Sequence, residues 1–225
     1  MSPREPAPPT GTTLVWDLPT RFFHWAIAVL VGALYVTWRL NWMGWHVLGG
    51  EILLAFVLFR IAWGFFGSDT ARFSGFAASP LKALHHLAGF GRREPDTAIG
   101  HNPAGGWMVF LFLGLLLAEL LTGLYVNNDV ANEGFFTGIT PAPLANAITD
   151  AHGVLWDAIL AAVVLHLAAI FGYAVLKGQN LVGPMITGQK RLPVARRAPR
   201  VAPLILALAL FALAVALAAL LSYVI

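Results

Sequence analysis

HGVLWDAILAAVVLHLAAIFGYAVL, residues 152–176, is a run of mostly apolar side chains with a single charged residue, Asp157. A helix of about 20 apolar residues crosses a hydrocarbon core of about 30 Å, so this stretch predicts a membrane-spanning helix. It also contains His152 and His166, and ionisable groups inside a membrane are costly and by default functional. The stretch therefore indicates a membrane fold and supplies the first residues of a candidate site.

Four more apolar runs have a comparable length, at residues 22–38, 45–66, 105–126 and 201–224. Hydrophobic residues make up 58% of the 225 residues, charged residues only 11%, and the mean hydropathy is +0.73. A soluble domain does not need so much apolar surface. We therefore expect an all-α integral membrane protein, with a four-helix transmembrane bundle and a fifth, C-terminal transmembrane helix.

The chain divides into three expected parts. Residues 1–20 are polar and Pro-rich and lack the apolar region of a signal peptide, so we expect an uncleaved cytoplasmic segment. Residues 21–192 form the transmembrane core, and 193–225 form a basic linker with the fifth helix, which could dock a partner or form a homodimer. A polar stretch at 67–104, with an amphipathic piece at Pro80–Phe90, lies at the membrane surface or in water.

The basic residues indicate how the helices are oriented. If the N-terminus is cytoplasmic, every one of the 14 Lys and Arg residues except Arg39 falls on the cytoplasmic side. Cytoplasmic loops retain positive charge, so we expect an N-in, C-out chain in a bacterial inner membrane. The outer loop, 127–150, contains Asp129, Glu133 and Asp150 and no basic residue. Such a loop could dock a basic redox protein, for example a c-type cytochrome.

Composition excludes cysteine-based sites and disfavours nucleic acid as a partner. The chain has no cysteine, which removes disulfides, iron–sulfur ligation and thioether-linked haem. Its net charge of +3 comes from residues between apolar segments rather than from a soluble basic face, so nucleic acid is not an expected partner.

Four of the seven histidines lie in or at the ends of the predicted spans, and the loop histidines His85, His86 and His101 are expected to be solvated or interfacial. His152 and His166 are 14 residues apart, which places them on nearly one face of a helix, about 21 Å apart along its axis. With the topology above, His46 matches the depth of His152, and His24 that of His166. Each pair could bind one haem iron from its two axial sides. A helix–helix hydrogen bond would also explain a single membrane histidine.

Small and basic residues near these histidines fit a flat macrocycle between helices. Gly49 and Gly50 follow His46 by three and four residues, and Gly32, Gly114 and Gly123 lie in other spans; ordinary helix packing explains glycine equally well. Arg21, three residues before His24, could contact a haem propionate or anchor the helix at the interface.

The chain resembles the superfamily of bacterial cytochrome b561 and nickel–iron hydrogenase b-type cytochrome subunits over residues 14–192. The similarity is carried by an ordered set of motifs: VWDLPTRFFHW at 15–25, WHVLGG at 45–50, RIAWGFFGSDTARF at 60–73, GHNPAGG at 100–106, AHG at 151–153, LH at 165–166 and GQNLVGPMITGQKR at 178–191. The family's four ligand positions match His24, His46, His152 and His166. The resemblance implies two non-covalent haem b groups and, as partners, a hydrogenase, a periplasmic c-type cytochrome or quinone.

Three functions stay open at this point. The first is an electron-transfer subunit of an oxidoreductase that joins a periplasmic redox protein to the quinone pool of a respiratory chain. The second is a self-sufficient enzyme, such as a superoxide:quinone oxidoreductase. The third is a metal or proton transporter. The pairing of histidines at two depths disfavours this function. Quinone chemistry needs proton exchange, for which Glu51 and Glu119 are candidates unless they are neutral groups bonded to a neighbouring helix.

Overall fold

The computed structural model describes residues 10–91, 98–127, 134, 136–193 and 198–223. Five of its helices are long and apolar enough to cross a membrane, as expected. They are α1 (Leu18–Arg39), α2 (Met43–Phe66), α5 (Pro103–Gly123), α6 (Ala142–Gly172, continued by a π-helical turn at Tyr173–Lys177) and α8 (Leu204–Tyr223). The all-α membrane class predicted from the hydropathy is confirmed.

Three short helices and two strands connect the long helices. Helices α3 (Phe73–Phe76), α4 (Pro80–Ala88) and α7 (Val182–Thr187) lie in the connecting segments, and α4 coincides with the amphipathic piece expected there. Strands β1 (Thr10–Leu14) and β2 (Gln189–Pro193) pair antiparallel, an arrangement that the sequence did not suggest. The pairing places the segment before α1 and the segment after α6 at one end of the bundle, called here the N-terminal end.

Helix α6 differs from its predicted span of 152–176. It begins at Ala142, so His152 lies ten residues inside the helix rather than at its start. The segment APLANAITD, within the predicted loop 127–150, continues the helix because Pro143 is tolerated in a first turn and the other residues are compatible with a helix. The loop's acidic residues Asp129 and Glu133 lie outside the described residues.

The long helices pack in two groups. Helix α2 packs against α1, α5 and α8, whereas α6 packs mainly on α5. Helices α1 and α6 meet through side-chain rings instead: Tyr35 stacks on Trp156 with centroids 5.5 Å apart, and His24 faces His166. Ring contacts therefore link α1 and α6 at these two points.

Helix α8 uses its small residues to lie against α2. Its buried positions include Ala207, Ala214 and Ala218, and Phe211 contacts the rings of Phe56 and Phe59 on α2. One face of α8 is thus packed against α2 of the same chain. A partner or a second copy would have to bind another face of α8.

The entry to α1 is fixed by Asp17. Its Oδ1 accepts the backbone N–H of Thr20 at 2.7 Å and caps the helix, while Oδ2 accepts the indole N–H of Trp63 on α2 at 3.1 Å. Gly188 closes the same region: its φ of +80° suits glycine, and an added Cβ would lie 2.7 Å from the carbonyl oxygen of Trp16. These contacts hold α1, α2 and the α7–β2 segment together beside His24.

Candidate functional site

The four membrane histidines lie on three helices. His24 is six residues into α1 and His46 three residues into α2, so they stand at opposite ends of an antiparallel pair. His152 and His166 lie on α6, separated by about 21 Å of helix. His166 of α6 thus lies beside His24 of α1, and His152 lies within electrostatic reach of His46 of α2.

His24 and His166 face one another at a distance that suits a shared metal. Their ring centroids are 6.3 Å apart. A metal held between one nitrogen of each ring, at about 2 Å from both, would need a ring spacing of this order. Nδ1 of His24 is buried without a hydrogen-bond partner, so this ring has a nitrogen free for a ligand. Phe112 packs edge-on against His166 and closes one side.

His46 and His152 are oriented in a different way, each by a carbonyl of a neighbouring helix. Nδ1 of His46 lies 3.0 Å from the carbonyl oxygen of Leu34 on α1, and Nδ1 of His152 lies 3.0 Å from that of Glu119 on α5. A carbonyl accepts, so in both rings Nδ1 donates, and in the neutral form of each ring Nε2 keeps a free lone pair. Metal-ligating histidines have this arrangement, because the second nitrogen fixes the ring. The two rings also lie within electrostatic reach of each other.

The glycines fall into two groups: some border open space, and others allow close contact between helices. A Cβ added at Gly32, Gly50 or Gly114 would meet nothing within 4 Å. At Gly123 it would lie 3.3 Å from Cε1 of His152, and at Gly49 it would lie 3.0 Å from Leu34. Gly123 therefore lets α5 approach the His152 ring closely, whereas Gly49 serves the packing of α2 on α1.

Glu119 lies beside one of the candidate ligands. Its Oε1 is 3.4 Å from Nε2 of His152, and its Oε2 is buried without a partner. If Nε2 binds a metal it has no proton to donate, and the carboxyl group must then bond elsewhere. Glu51 is half-buried on α2, five residues beyond His46.

Arg21, the candidate propionate contact, bonds within the N-terminal end. Its Nη1 donates to the carbonyl oxygen of Ile186 on α7 at 2.5 Å, while its Nε is buried without a partner. The side chain thus ties α1 to α7 and retains one donor for a further acceptor.

One of the loop histidines, His101, is buried rather than solvated or interfacial as expected, and His86 is half-buried and hydrogen-bonded. His101 packs between the rings of Trp16 and Phe76, with centroids 4.6 and 4.5 Å away, and burial lowers its pKa to about 3, with the charges of Arg60 and His24 contributing. His86 bonds to the hydroxyl of Tyr173 at 2.7 Å. Hydropathy missed both because they lie in a polar stretch. The helix-start pattern at Asn102–Pro103 was the available signal, since it places His101 against the end of the bundle.

The set of donors suits a metal that brings its own equatorial ligands. Among the described residues, no group of three or more His, Cys, Asp or Glu side chains could hold a bare metal ion. Two histidines at each of two depths match haem, whose porphyrin supplies four nitrogens and leaves two axial positions. The residues present therefore fit haem.

Comparisons with known proteins agree with this chemistry. The sequence model of the family described as prokaryotic cytochrome b561 matches residues 15–188. Two curated relatives, each called a probable Ni/Fe-hydrogenase B-type cytochrome subunit, come from Bradyrhizobium diazoefficiens and Rhizobium leguminosarum bv. viciae. Both are 26% identical to the chain; the matches cover 80% and 78% of this chain, and 86% and 87% of the relatives. No solved structure matches significantly.

Proposed function

Because this chain belongs to the prokaryotic cytochrome b561 family, we propose that it is a di-haem cytochrome that passes electrons between a redox protein at the outer membrane face and the quinone pool. Family membership and five apolar helices make it a multi-pass membrane b-type cytochrome of electron transfer. The number of haems, their ligands and the two redox partners are the proposal.

The arrangement of the four histidines is the observation that carries the proposal. His24 and His166 would hold one haem and His46 and His152 the other, both through the shared helix α6. When bound, haem supplies a one-electron couple at its iron. Two axial histidines leave no open coordination position, so electron transfer at the haem edge is favoured over chemistry at the metal.

A hydrogenase-like enzyme is the partner best supported at the outer face. The names of the two relatives place them as cytochrome subunits of Ni/Fe hydrogenases, and the matches span most of both proteins. A periplasmic c-type cytochrome is the second candidate, and the acidic residues between α5 and α6 favour it through charge. Quinone, which is lipid-soluble, would exchange electrons from within the bilayer.

The direct test is haem analysis of the purified chain. We expect a b-type reduced-minus-oxidised spectrum and a pyridine haemochrome content of two haems per chain, because the four membrane histidines would form two pairs. A content of one would remove one pair from the proposal. A colourless protein, after expression with ample haem, would remove both.

The absence of cysteine permits a clean test of orientation. Single cysteines at the exposed positions Lys82, on α4, and Ala147, near the start of α6, mark opposite ends of the bundle. For an N-in chain, a membrane-impermeant maleimide should label Ala147→Cys in intact spheroplasts, and Lys82→Cys only after lysis. The cysteine-free parent controls for background. Labelling in the reverse order would show that the N-terminus faces the periplasm.

A further inference from the structure

Arg60 is a buried cation with no ionic partner in the described part of the chain. It lies on α2, and only 3% of its surface is exposed. Its guanidinium stands 6.0 Å from the ring centroid of Phe23 and 5.4 Å from that of Phe73, while Nη1 has no hydrogen-bond partner. A buried charge is costly unless it is paired and hydrogen-bonded. The residue therefore requires an acceptor, preferably an anion.

Asp17 attracts Arg60 but does not satisfy it. Both carboxylate oxygens are already engaged, one by the backbone N–H of Thr20 and the other by the indole of Trp63. Asp17 and Arg60 interact electrostatically, yet they form no ion pair in the structure. The charge of Arg60 is thus partly balanced, whereas Nη1 still lacks an acceptor.

Arg60 lies at the depth of His24. His24 is six residues from the start of α1 and Arg60 six residues from the end of the antiparallel α2, so each is about 9 Å from the N-terminal end of the bundle. His101 is within electrostatic reach of both residues. Thr20 lies one helical turn before His24 on the same face, and its buried hydroxyl also lacks a partner. With Nε of Arg21, three unsatisfied donors therefore lie near one histidine pair, and Thr20 and Arg60 are the two whose residues are almost fully buried.

His101 contributes an uncharged wall to this cluster. Its lowered pKa, about 3, keeps the ring neutral at physiological pH. One ring nitrogen bonds to the backbone of Thr70, and the buried Nδ1 has no partner. If the first nitrogen donates to the Thr70 carbonyl, Nδ1 can only accept. The ring therefore cannot compete with Arg60 for an anion.

We propose that Arg60 and Thr20 bind a propionate carboxylate of the haem held by His24 and His166. The assignment rests on the function proposed above, which places a haem there. The propionates are the ionised groups of haem b, and a guanidinium binds a carboxylate through charge-assisted, often bidentate hydrogen bonds. A quinone carbonyl is neutral and would leave the charge of Arg60 unbalanced. A lipid phosphate would have to reach a side chain that is 3% exposed.

The test uses a His152→Leu background, in which only the haem of His24 and His166 should remain. Removing a positive charge near haem favours the ferric state, so Arg60→Met should lower the midpoint potential. We expect at least a tenfold change in the reduction equilibrium, which equals about 59 mV for one electron. Arg60→Lys should retain most of the potential. Lys82→Gln removes an exposed positive charge from the same end of the bundle and should change little.

A second variant separates the proposal from a purely internal pairing of Arg60. If Asp17→Asn restores the haem content of Arg60→Met, the anion that Arg60 serves is Asp17 and the proposal is wrong. The propionate itself is tested by adding protohaem or its dimethyl ester to the full-length chain in haem-deficient membranes. The wild-type His24–His166 site should bind the dimethyl ester at least tenfold more weakly than protohaem. Equal binding of the two compounds would overturn the assignment, even if Arg60→Met fails to fold.

The results also separate this inference from the proposed function. Haem that is present but insensitive to Arg60 would refute the propionate contact alone. Absence of any haem from the His24–His166 pair in the otherwise unaltered background would refute the di-haem function.

Discussion

His152→Leu should purify with one haem per chain instead of two, and His46→Leu should lose the same haem. Leucine cannot ligate iron, and a haem left with one axial histidine loses much of its hold on the protein. The carbonyls of Leu34 and Glu119 fix the rings of His46 and His152, and the proposed haem would need both rings, so loss of either should empty that site. Pyridine haemochrome quantitation measures the change directly.

Double variants show which histidines share an iron. His46→Leu combined with His152→Leu should still retain one haem, whereas His24→Leu combined with His152→Leu should retain none. The matched control is His85→Leu, which removes an exposed histidine from α4 and should keep both haems. One haem remaining in the His24/His152 double variant would mean that the pairing across α6 is incorrect.

Hydropathy predicted the helices well because it acts locally along the chain. The cost of transferring side chains into hydrocarbon determines where a span lies, and α2 ends at Phe66 in the structure as in the prediction. Helix α6 was predicted too short because its first turns are less apolar. Hydropathy reports where a helix meets lipid, not where its hydrogen bonds begin.

The N-terminal end of the bundle could not be predicted in the same way. Pairing of β1 with β2 joins residues nearly the whole chain apart, so no local pattern encodes it. The burial of His101 depends on Trp16 and Phe76, which approach it only after folding. Arg60 was counted as a topology signal, yet its side chain is turned into the protein. Contacts between distant segments, not composition, thus give these residues their surroundings.

The charge count and the strand pairing agree on one point of topology. Counting Lys and Arg assigned the N-terminal segment and the segment after α6 to the same side, and β1 and β2 pair with each other at one end of the bundle. The same end contains the His24–His166 pair, and the opposite end contains the His46–His152 pair. The two proposed haems would therefore lie in opposite halves of the bilayer.

Electron transfer across a vesicle membrane should require both haems. With the chain in vesicles that contain ferricyanide, external dithionite should reduce the trapped ferricyanide, and His24→Leu or His152→Leu should lower the rate to that of protein-free vesicles. Histidines 14 residues apart on α6 would put the two proposed haems about 21 Å apart along the helix, so loss of one haem would leave most of the hydrocarbon core without a carrier.

The remaining haem distinguishes a broken route from an unfolded protein. In His24→Leu, the haem of His46 and His152 should still be reduced by dithionite in vesicles where its own end of the bundle faces outward, because that half of the site is intact. His85→Leu should support the full transmembrane rate. If His24→Leu vesicles kept that rate, electrons would be crossing without the His24–His166 haem. The two pairs would then be separate sites rather than consecutive steps of one path.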